Sequence, residues 1–273
     1  MDLDDGLRPY IEQARDTGAS SWLNALPIRE QQLDLNKEQF SDALCMRYNF
    51  LLSGLKSFCE CGSPFSVTHA LDCKKGGFVA QRHDNLRDLL THLLSKVCKP
   101  VEAEPHLLPV TNEELALRTA NQADEARLDI KAHGFWQRGQ TAFFDLRVTH
   151  VNSSSQRNKS TSNIFKSHEM AKKREYLERV IEVEHGTFTP LVFGTNGGMG
   201  VECQRFVKQL CACLAEKTDE NYADICTWLR TRISVDILKS AITCVRGSRV
   251  PFRKAATNAE DFSLMNVRAL NTE

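Results

Sequence analysis

Two aspartates inside short apolar segments constrain the fold of this chain more than any other feature. Asp129 lies in the apolar run 126–130 and Asp145 in the run 143–148, with fifteen residues between them. Both runs have the length and composition of β-strands, where an unpaired charge is costly. The sequence therefore predicts two adjoining strands whose carboxylates hold one divalent cation, and Mg²⁺ favours such a site.

The second run alternates with a period of two residues. Asp145 and Arg147 are predicted on one face of the strand, and Phe144, Leu146 and Val148 on the other. A metal-binding acid followed by a cation on the same face suits the cleavage of a phosphodiester, because the cation stabilises charge that develops on the phosphate. The alternative is a pair of ordinary surface acids in loops at strand ends.

A leucine series predicts the clearest helix of the chain. Apolar residues recur at spacings of three and four from Leu86 to Val97, with Asp84 as the N-cap and Lys99-Pro100 as the end. Further strands are predicted at 101–110 and 189–193, and further helices at 37–48, 165–183, 201–216 and 222–244. The order helix, strand, strand, strand, helix, strand, helix predicts an α/β or α+β fold with a mixed sheet.

A cysteine and histidine cluster precedes this helix, with the pattern Cys59-x-Cys61-x7-His69-x3-Cys73. Three thiols and one imidazole complete a tetrahedral zinc shell and leave no open position for water, so the predicted site is structural. The C-x-C pair is tighter than the usual C-x2-C spacing. The alternative is a set of unrelated cysteines beside a helix.

The distribution of charge and hydropathy limits the possible classes of function. The formal net charge is zero, but residues 151–180 carry seven basic and three acidic side chains, and residues 227–254 carry seven and one. Such local basic surface is compatible with phosphate binding. No apolar run approaches the ~18 residues of a membrane span, and the acidic start lacks the features of a signal peptide. An intracellular protein with free thiols is expected.

One charged helical stretch has side chains suited to phosphate chemistry. Lys172 and Tyr176 are four residues apart and share a helix face, from which both could reach a scissile phosphate. The alternative is a solvated amphipathic face. Arg82 and His83 stand at the entrance of the leucine helix, where His83 could contact phosphate or serve in capping or packing.

Taken in order, these segments resemble the C-terminal region of non-LTR retrotransposon polyproteins, the part that follows the reverse transcriptase. In site-specific elements this region carries a Cys-Cys-His-Cys knuckle, an Arg-His-Asn motif, and a restriction-like endonuclease of the PD-(D/E)xK fold with a later Lys-x-x-x-Tyr helix. The residues that carry the resemblance are Cys59, Cys61, His69 and Cys73, then Arg82-His83-Asp84, Arg127-Leu128-Asp129, Asp145-Leu146-Arg147, and Lys172 to Tyr176.

The resemblance implies a restriction-endonuclease-like mixed sheet flanked by helices, preceded by a helical segment and a small zinc knuckle. The implied divisions are a helical N-terminal segment at 1–56, the knuckle at 57–80, the endonuclease domain at 81–249 and a tail at 250–273. The implied function is metal-dependent nicking or cutting of DNA in the nucleus. DNA is the implied partner, and RNA of the element is a further candidate.

The resemblance also implies roles for individual residues. Asp129 and Asp145 would bind catalytic magnesium, and Tyr176 would position a phosphate oxygen or water. Arg147, with Lys172 or Lys173, would stabilise the charge of the transition state. The residues implied to contact DNA are Arg82 and His83.

Three positions depart from the family pattern. Leu128 stands at its proline, Arg147 at its lysine and Asp84 at its asparagine. A Tyr-x-Asp-Asp box is absent, so the sequence predicts a fragment, a decayed copy or a freestanding gene made from such an element. The alternative function is a catalytically inactive, nucleic-acid-binding remnant, which the arginine at position 147 favours.

Overall fold

A four-stranded mixed sheet forms the centre of the protein in a computed structural model that describes residues 7–111, 114–156 and 159–249. The strands lie side by side in the order β1 (Val101–Ala103), β2 (Ile130–His133), β3 (Thr141–Thr149) and β4 (Thr187–Gly194). β1, β2 and β3 pair antiparallel, whereas β3 and β4 pair parallel. The predicted mixed sheet and its order of elements are confirmed.

Seven α-helices surround this sheet in the described part of the chain. They are α1 (Arg8–Gln13), α2 (Lys37–Arg47), α3 (Val67–Asp72), α4 (Phe78–Ser95), α5 (Thr161–Glu182), α6 (Val201–Thr218) and α7 (Tyr222–Arg246). Two short 3-10 helices cover Ser21–Asn24 and Ser154–Gln156. Within the described ranges, no helix combines the length and the apolarity that a bilayer crossing requires.

The alternation of β3 separates two apolar cores, as its sequence predicts. Phe144 and Leu146 enter the larger core, which includes side chains from α4, α6 and α7. Phe143 faces the opposite side, where it packs with Tyr176 and Val180 of α5. Since α5 is the crossover between the parallel strands β3 and β4, it covers the face to which Asp145 also belongs.

The leucine helix begins earlier than its sequence suggests, so the predicted N-cap at Asp84 is wrong. Gly77 caps α4 with a φ of +75°, a left-handed conformation that suits glycine. Phe78 then packs against the apolar cluster that contains Leu71 and Cys244. Arg82 therefore lies inside the helix, one turn beyond its start, rather than at its entrance.

Two predicted strands have different bounds in the structure. The strand at 101–110 ends at Ala103, because Glu104 has a φ of +50° and Pro105 has no backbone N–H to donate. The strand at 126–130 begins only at Ile130, although Leu128 before it is buried among the side chains beneath α5. Asp129 thus directly precedes β2.

The N-terminal segment packs along α7 and neutralises part of its positive charge. Trp22, Leu33 and Ala43 join an apolar cluster with side chains of α7. Acidic groups of the same segment reach basic groups of α7 in two ion pairs, Asp34–Lys239 at 3.5 Å and Asp42–Arg246 at 2.5 Å. Basic side chains of the segment 227–254 are therefore paired with acids of the same fold. The predicted tail at 250–273 lies outside the described residues.

Two buried arginines join the knuckle segment to the rest of the protein. Arg82 donates from Nη1 to the carbonyl of Leu71 in α3, at 3.1 Å, and from Nη2 to the carbonyl of Val148 in β3, at 3.4 Å. Arg249 donates to the carbonyl of Ala70 at 3.0 Å. The boundary expected between residues 80 and 81 lies inside α4, so this helix belongs to both the knuckle and the sheet.

The substitution Arg82→Met tests this connection. It removes the Arg82 donor from the carbonyls of Leu71 and Val148, at about 1–3 kcal/mol each, so we expect the free energy of unfolding to fall by about 2–6 kcal/mol in a denaturant titration. Arg205→Met is the control, because Arg205 is exposed and its loss should change stability by no more than about 0.5 kcal/mol. Equal effects of the two changes would contradict a structural role for Arg82.

Candidate functional site

The structure brings Asp129 and Asp145 together where β2 begins. Ile130 pairs with Phe144 in the antiparallel register. The neighbouring pair of residues is therefore Asp129 and Asp145, which lie opposite each other. The amide of Asp129 donates to the carbonyl of Phe144 at 3.1 Å. Its carboxylate Oδ2 accepts from the amide of Leu146 at 2.5 Å, directly beside Asp145. The two acids therefore lie opposite each other, although Asp129 directly precedes β2 instead of lying within a strand as predicted.

Asp145 is buried, and its nearest cation comes from α5. The ammonium of Lys172 lies 2.8 Å from Oδ2 of Asp145. This oxygen is fully buried and accepts no well-directed hydrogen bond, so the contact is an ion pair with poor hydrogen-bond geometry. Burial outweighs the attraction of Lys172 and raises the pKa of Asp145 to about 6.

Asp129 is partly exposed, and its partner cation comes from α4 on the other face of the sheet. Nε2 of His83 lies 3.3 Å from Oδ2 of Asp129, and Nδ1 lies 3.3 Å from Oδ1 of Asp84. The hydrogen bond to Asp129 outweighs burial and raises the pKa of His83 to about 9. His83 is therefore positively charged at neutral pH, and its partners are two carboxylates of this chain.

The charges continue along α4 beyond His83. Arg87 lies 3.1 Å from the carboxylate of Asp84 and 2.7 Å from that of Glu104. Glu104 in turn donates its backbone amide to the carbonyl of Asp129 at 2.9 Å. Arg87 is not among the predicted site residues, although its spacing of three residues from Asp84 and four from His83 places it on the same helix face.

The remaining residues with predicted catalytic roles occupy three different settings. Tyr176 is buried beneath Lys172, whose ammonium lies 5.5 Å from the centre of the ring. Lys173 points away from the acids and pairs with Glu202 at the start of α6. Arg147 is exposed on the α5 side of β3, and burial first, then the charges of Arg147, Lys159 and Lys172, lower the pKa of His168.

Arg82 and His83, the two residues implied to contact DNA, both have partners within the protein. Arg82 is 3% exposed, and its guanidinium donates hydrogen bonds to α3 and β3. Basic side chains near the acids come instead from β3 and α5. Arg147 and Lys172 lie around His168, whose pKa falls to about 4 mainly through burial and then through these charges.

The cysteine and histidine cluster has the geometry of a metal site. The ligand atoms of Cys59, Cys61, His69 and Cys73 all lie within 4.8 Å of one another. Sγ of Cys59 is 3.8 Å from Sγ of Cys73, and Sγ of Cys61 is 3.3 Å from Nε2 of His69. A tetrahedral zinc ion with ordinary bond lengths requires separations of about 3.5–3.8 Å. These four residues could therefore hold one metal ion.

The local chain conformation explains how this cluster forms. A tight hairpin presents the first two cysteines, closed by bonds from the amide of Cys59 to Ser63 and from Gly62 to Cys59. Gly62 has a φ of +87°, which the turn requires. Ser66 then caps α3 by accepting from the amide of His69, and Cys73 follows the last turn of that helix.

Comparison with known proteins leaves the resemblance to retrotransposon endonucleases as a prediction. No family model and no curated protein matches this chain. The features to be explained are therefore the paired acids, their two cationic neighbours and the thiol cluster.

The pH dependence of stability tests the contact between His83 and Asp129. The pKa of His83 is near 6.5 in an unfolded chain and about 9 here, so the contact stabilises the fold fully below pH ~6.5 and is lost as the pH rises through 9. We expect the stability difference between the wild type and His83→Gln to shrink from pH 6 to pH 10. His106→Gln, at an exposed histidine, is the control. A constant difference for His83→Gln would contradict the contact.

Proposed function

We propose that this protein is a metal-dependent DNA endonuclease with a restriction-endonuclease-like core, and that it cuts or nicks DNA in the nucleus. The observation that carries the proposal is the position of Asp129 opposite Asp145 where β2 begins. The mixed sheet, with three antiparallel strands and one parallel strand after a crossover helix, is compatible with that core.

The chemistry of the two carboxylates suits a divalent cation. Oδ2 of Asp145 is buried and contacts the ammonium of Lys172 at 2.8 Å without a well-directed hydrogen bond, and the carboxylate of Asp129 is partly open to solvent. One or two carboxylates, completed by water and phosphate oxygens, make the ligand set that Mg²⁺ favours. When bound, magnesium polarises the phosphate and lowers the pKa of its water ligands.

The side chains around the acids supply the positive charge that phosphoryl chemistry needs. Lys172 balances the buried charge of Asp145 and lies on the face where a phosphate would approach. Tyr176 is buried under this lysine and fixes its position through the ring, instead of meeting substrate. Arg147 is exposed near Lys172 and is suited to hold a backbone phosphate with its planar guanidinium.

A second function, nucleic-acid binding without cleavage, is favoured by a specific feature of the same site. Lys172 already neutralises Asp145, and arginine stands where the family has the catalytic lysine. The exposed Arg147 with Lys159 and Lys172 would then bind a phosphate backbone, with an affinity that falls steeply as salt rises.

Nicking of supercoiled plasmid in the presence of Mg²⁺ distinguishes these functions. For an endonuclease, we expect Asp145→Asn to slow nicking by at least about a hundredfold, because a metal ligand is lost. Lys172→Met should also slow it strongly. Lys173→Met is the matched control, since this neighbouring lysine pairs with Glu202 away from the acids.

The endonuclease proposal fails if wild type and Asp145→Asn nick plasmid at the same rate. It also fails if Lys172→Met and Lys173→Met have equal effects. Salt-sensitive DNA binding that persists in wild type without any Mg²⁺-dependent nicking would instead establish the binding function.

We further propose that the metal at the cysteine cluster is zinc and that its role is structural. Four protein ligands fill a tetrahedral shell, and softer thiolate ligands suit zinc. The ion would fix the hairpin against α3, whose carbonyls accept the hydrogen bonds of Arg82 and Arg249.

Metal analysis of purified protein tests the zinc proposal. We expect about one equivalent in the wild type and less than half an equivalent in Cys73→Ser, with a lower thermal midpoint in the variant. Cys45→Ser is the control, because Cys45 lies in α2 outside the cluster. Less than half an equivalent in the wild type, or full zinc in Cys73→Ser, would contradict the proposal.

A further inference from the structure

An apolar cavity of about 370 Å³ lies apart from the paired acids and from the ligands of the cysteine cluster. Its walls come from three parts of the fold: the N-terminal segment with α2 and the loop after it, the helix α3, and α7 with the turns that follow β3 and β4. Each part contributes large apolar side chains, among them Trp22, Leu71 and Leu238. An apolar group that fills this cavity therefore packs against all three parts at once.

The loop after α2 carries the apolar lining out to the protein surface. Four residues of this loop line the cavity, namely Phe50, Leu51, Leu52 and Leu55. Phe50 is 57% exposed and Leu51 is 98% exposed. Apolar side chains that are exposed next to one another are typical of a surface that binds another group. The mouth of the cavity is therefore an apolar surface that the described residues leave uncovered.

A smaller cleft of about 80 Å³ adjoins this cavity at the C-terminal end of α7. Leu55 and Phe65 line both spaces, whereas Val245, Gly247 and Arg249 line only the cleft. The cavity and the cleft together form one groove. This groove begins where the described part of the chain ends.

The last described residue is fixed at this groove. Arg249 is 3% exposed and donates to the carbonyl of Ala70 at 3.0 Å and to that of Cys244 at 2.5 Å. Its guanidinium carbon lies 5.3 Å from the centre of the Phe65 ring, which is part of the cavity wall. The chain that follows Arg249 therefore starts from a fixed point beside the cavity.

The sequence after Arg249 contains an apolar stretch that lies within reach of the cavity. Residues 250–273 continue the chain outside the described ranges, and positions 261–270 read Asp-Phe-Ser-Leu-Met-Asn-Val-Arg-Ala-Leu. Six of these ten residues are apolar. The linker 250–260 spans up to about 35 Å when extended, far more than the short step from Arg249 to the ring of Phe65.

The charge at the start of this stretch complements the wall of the cavity. Arg47 is the charged residue among the described lining residues, and its guanidinium donates to the carbonyl of Ala19 and the hydroxyl of Ser20 instead of to a carboxylate. Glu260 and Asp261 directly precede the apolar residues of the stretch. One segment of this chain therefore offers both the apolar side chains and the carboxylates that the cavity lacks.

We infer that residues 261–270 of this chain bind in the apolar cavity and pack against the N-terminal segment, α3 and α7. A short linker gives a tethered segment an effective concentration in the range of about a millimolar, which favours it over the same segment of a second copy. The bound segment would fasten α3, and with it the cysteine cluster, to the rest of the fold. The inference does not depend on DNA cleavage.

Photo-crosslinking in the full chain tests this inference. The photoreactive amino acid p-benzoylphenylalanine replaces Leu51, which is 98% exposed and lines the cavity mouth. After irradiation at low protein concentration, we expect mass spectrometry to identify crosslinks to residues 261–270. The same probe at Leu117 is the matched control, because this leucine is also exposed but does not line the cavity. Its yield of crosslinks to 261–270 should be at least tenfold lower.

A variant of the segment itself provides a second test. In the chain that carries the probe at position 51, Leu264→Asp/Met265→Asp should lower the yield at least fivefold, because charged side chains are costly in an apolar cavity. Ala256→Asp/Thr257→Asp is the matched control, since it adds the same charge to the linker. The inference is overturned if the two double variants give equal yields, or if the probes at Leu51 and Leu117 do.

An isotope experiment identifies which chain fills the cavity. Irradiation of an equal mixture of ¹⁵N-labelled and unlabelled chains should give crosslinks that join peptides of the same label. Crosslinks that join labelled to unlabelled peptides at the statistical frequency would show that a second copy occupies the cavity. That result, or crosslinks that avoid 261–270 altogether, would contradict binding within one chain.

Discussion

The antiparallel register between β2 and β3 is the constraint on which the candidate site depends. Because Ile130 pairs with Phe144, Asp129 and Asp145 face each other one residue further along. A slip of one residue would turn Asp145 towards the apolar core that holds Phe144 and Leu146, where an ionised carboxylate is costly. The apolar residues of β3 therefore fix the position of the acid, and the fold of the sheet defines the site.

Helices on opposite faces of the sheet then bring one cation to each acid, and buried contacts hold those helices in place. His83 of α4 reaches Asp129, and α4 is held through the hydrogen bonds of Arg82 to α3 and β3. Lys172 of α5 reaches Asp145. The buried carboxylate of Glu169, on the same helix, accepts from the first turn of α6 at 3.1 Å. The cysteine cluster is thus linked to the acids through α3 and Arg82.

The sequence predicted the parts of this arrangement that have a local signal. Alternation in β3 identified the face of Asp145, and ligand spacing identified the Cys59 to Cys73 cluster. Contacts between distant segments had no such signal. The basic residues at 172 and 173 are equivalent in the sequence, but the packing of α5 turns one to Asp145 and the other to Glu202.

The same limit explains the boundaries and partners that the sequence analysis missed. Asp84 was a reasonable N-cap by residue type, but the left-handed Gly77 starts the helix earlier, which places Arg82 inside the core. The basic charge of α7 was expected at the surface because the acidic groups that pair with it are about two hundred residues away.

Manganese binding tests the convergence of the two acids most directly, because Mn²⁺ replaces Mg²⁺ and its free form is measured by electron paramagnetic resonance. Wild-type protein should bind one more Mn²⁺ per chain than the double variant Asp129→Asn/Asp145→Asn. Equal numbers of bound ions in the two proteins would show that these carboxylates do not share a cation.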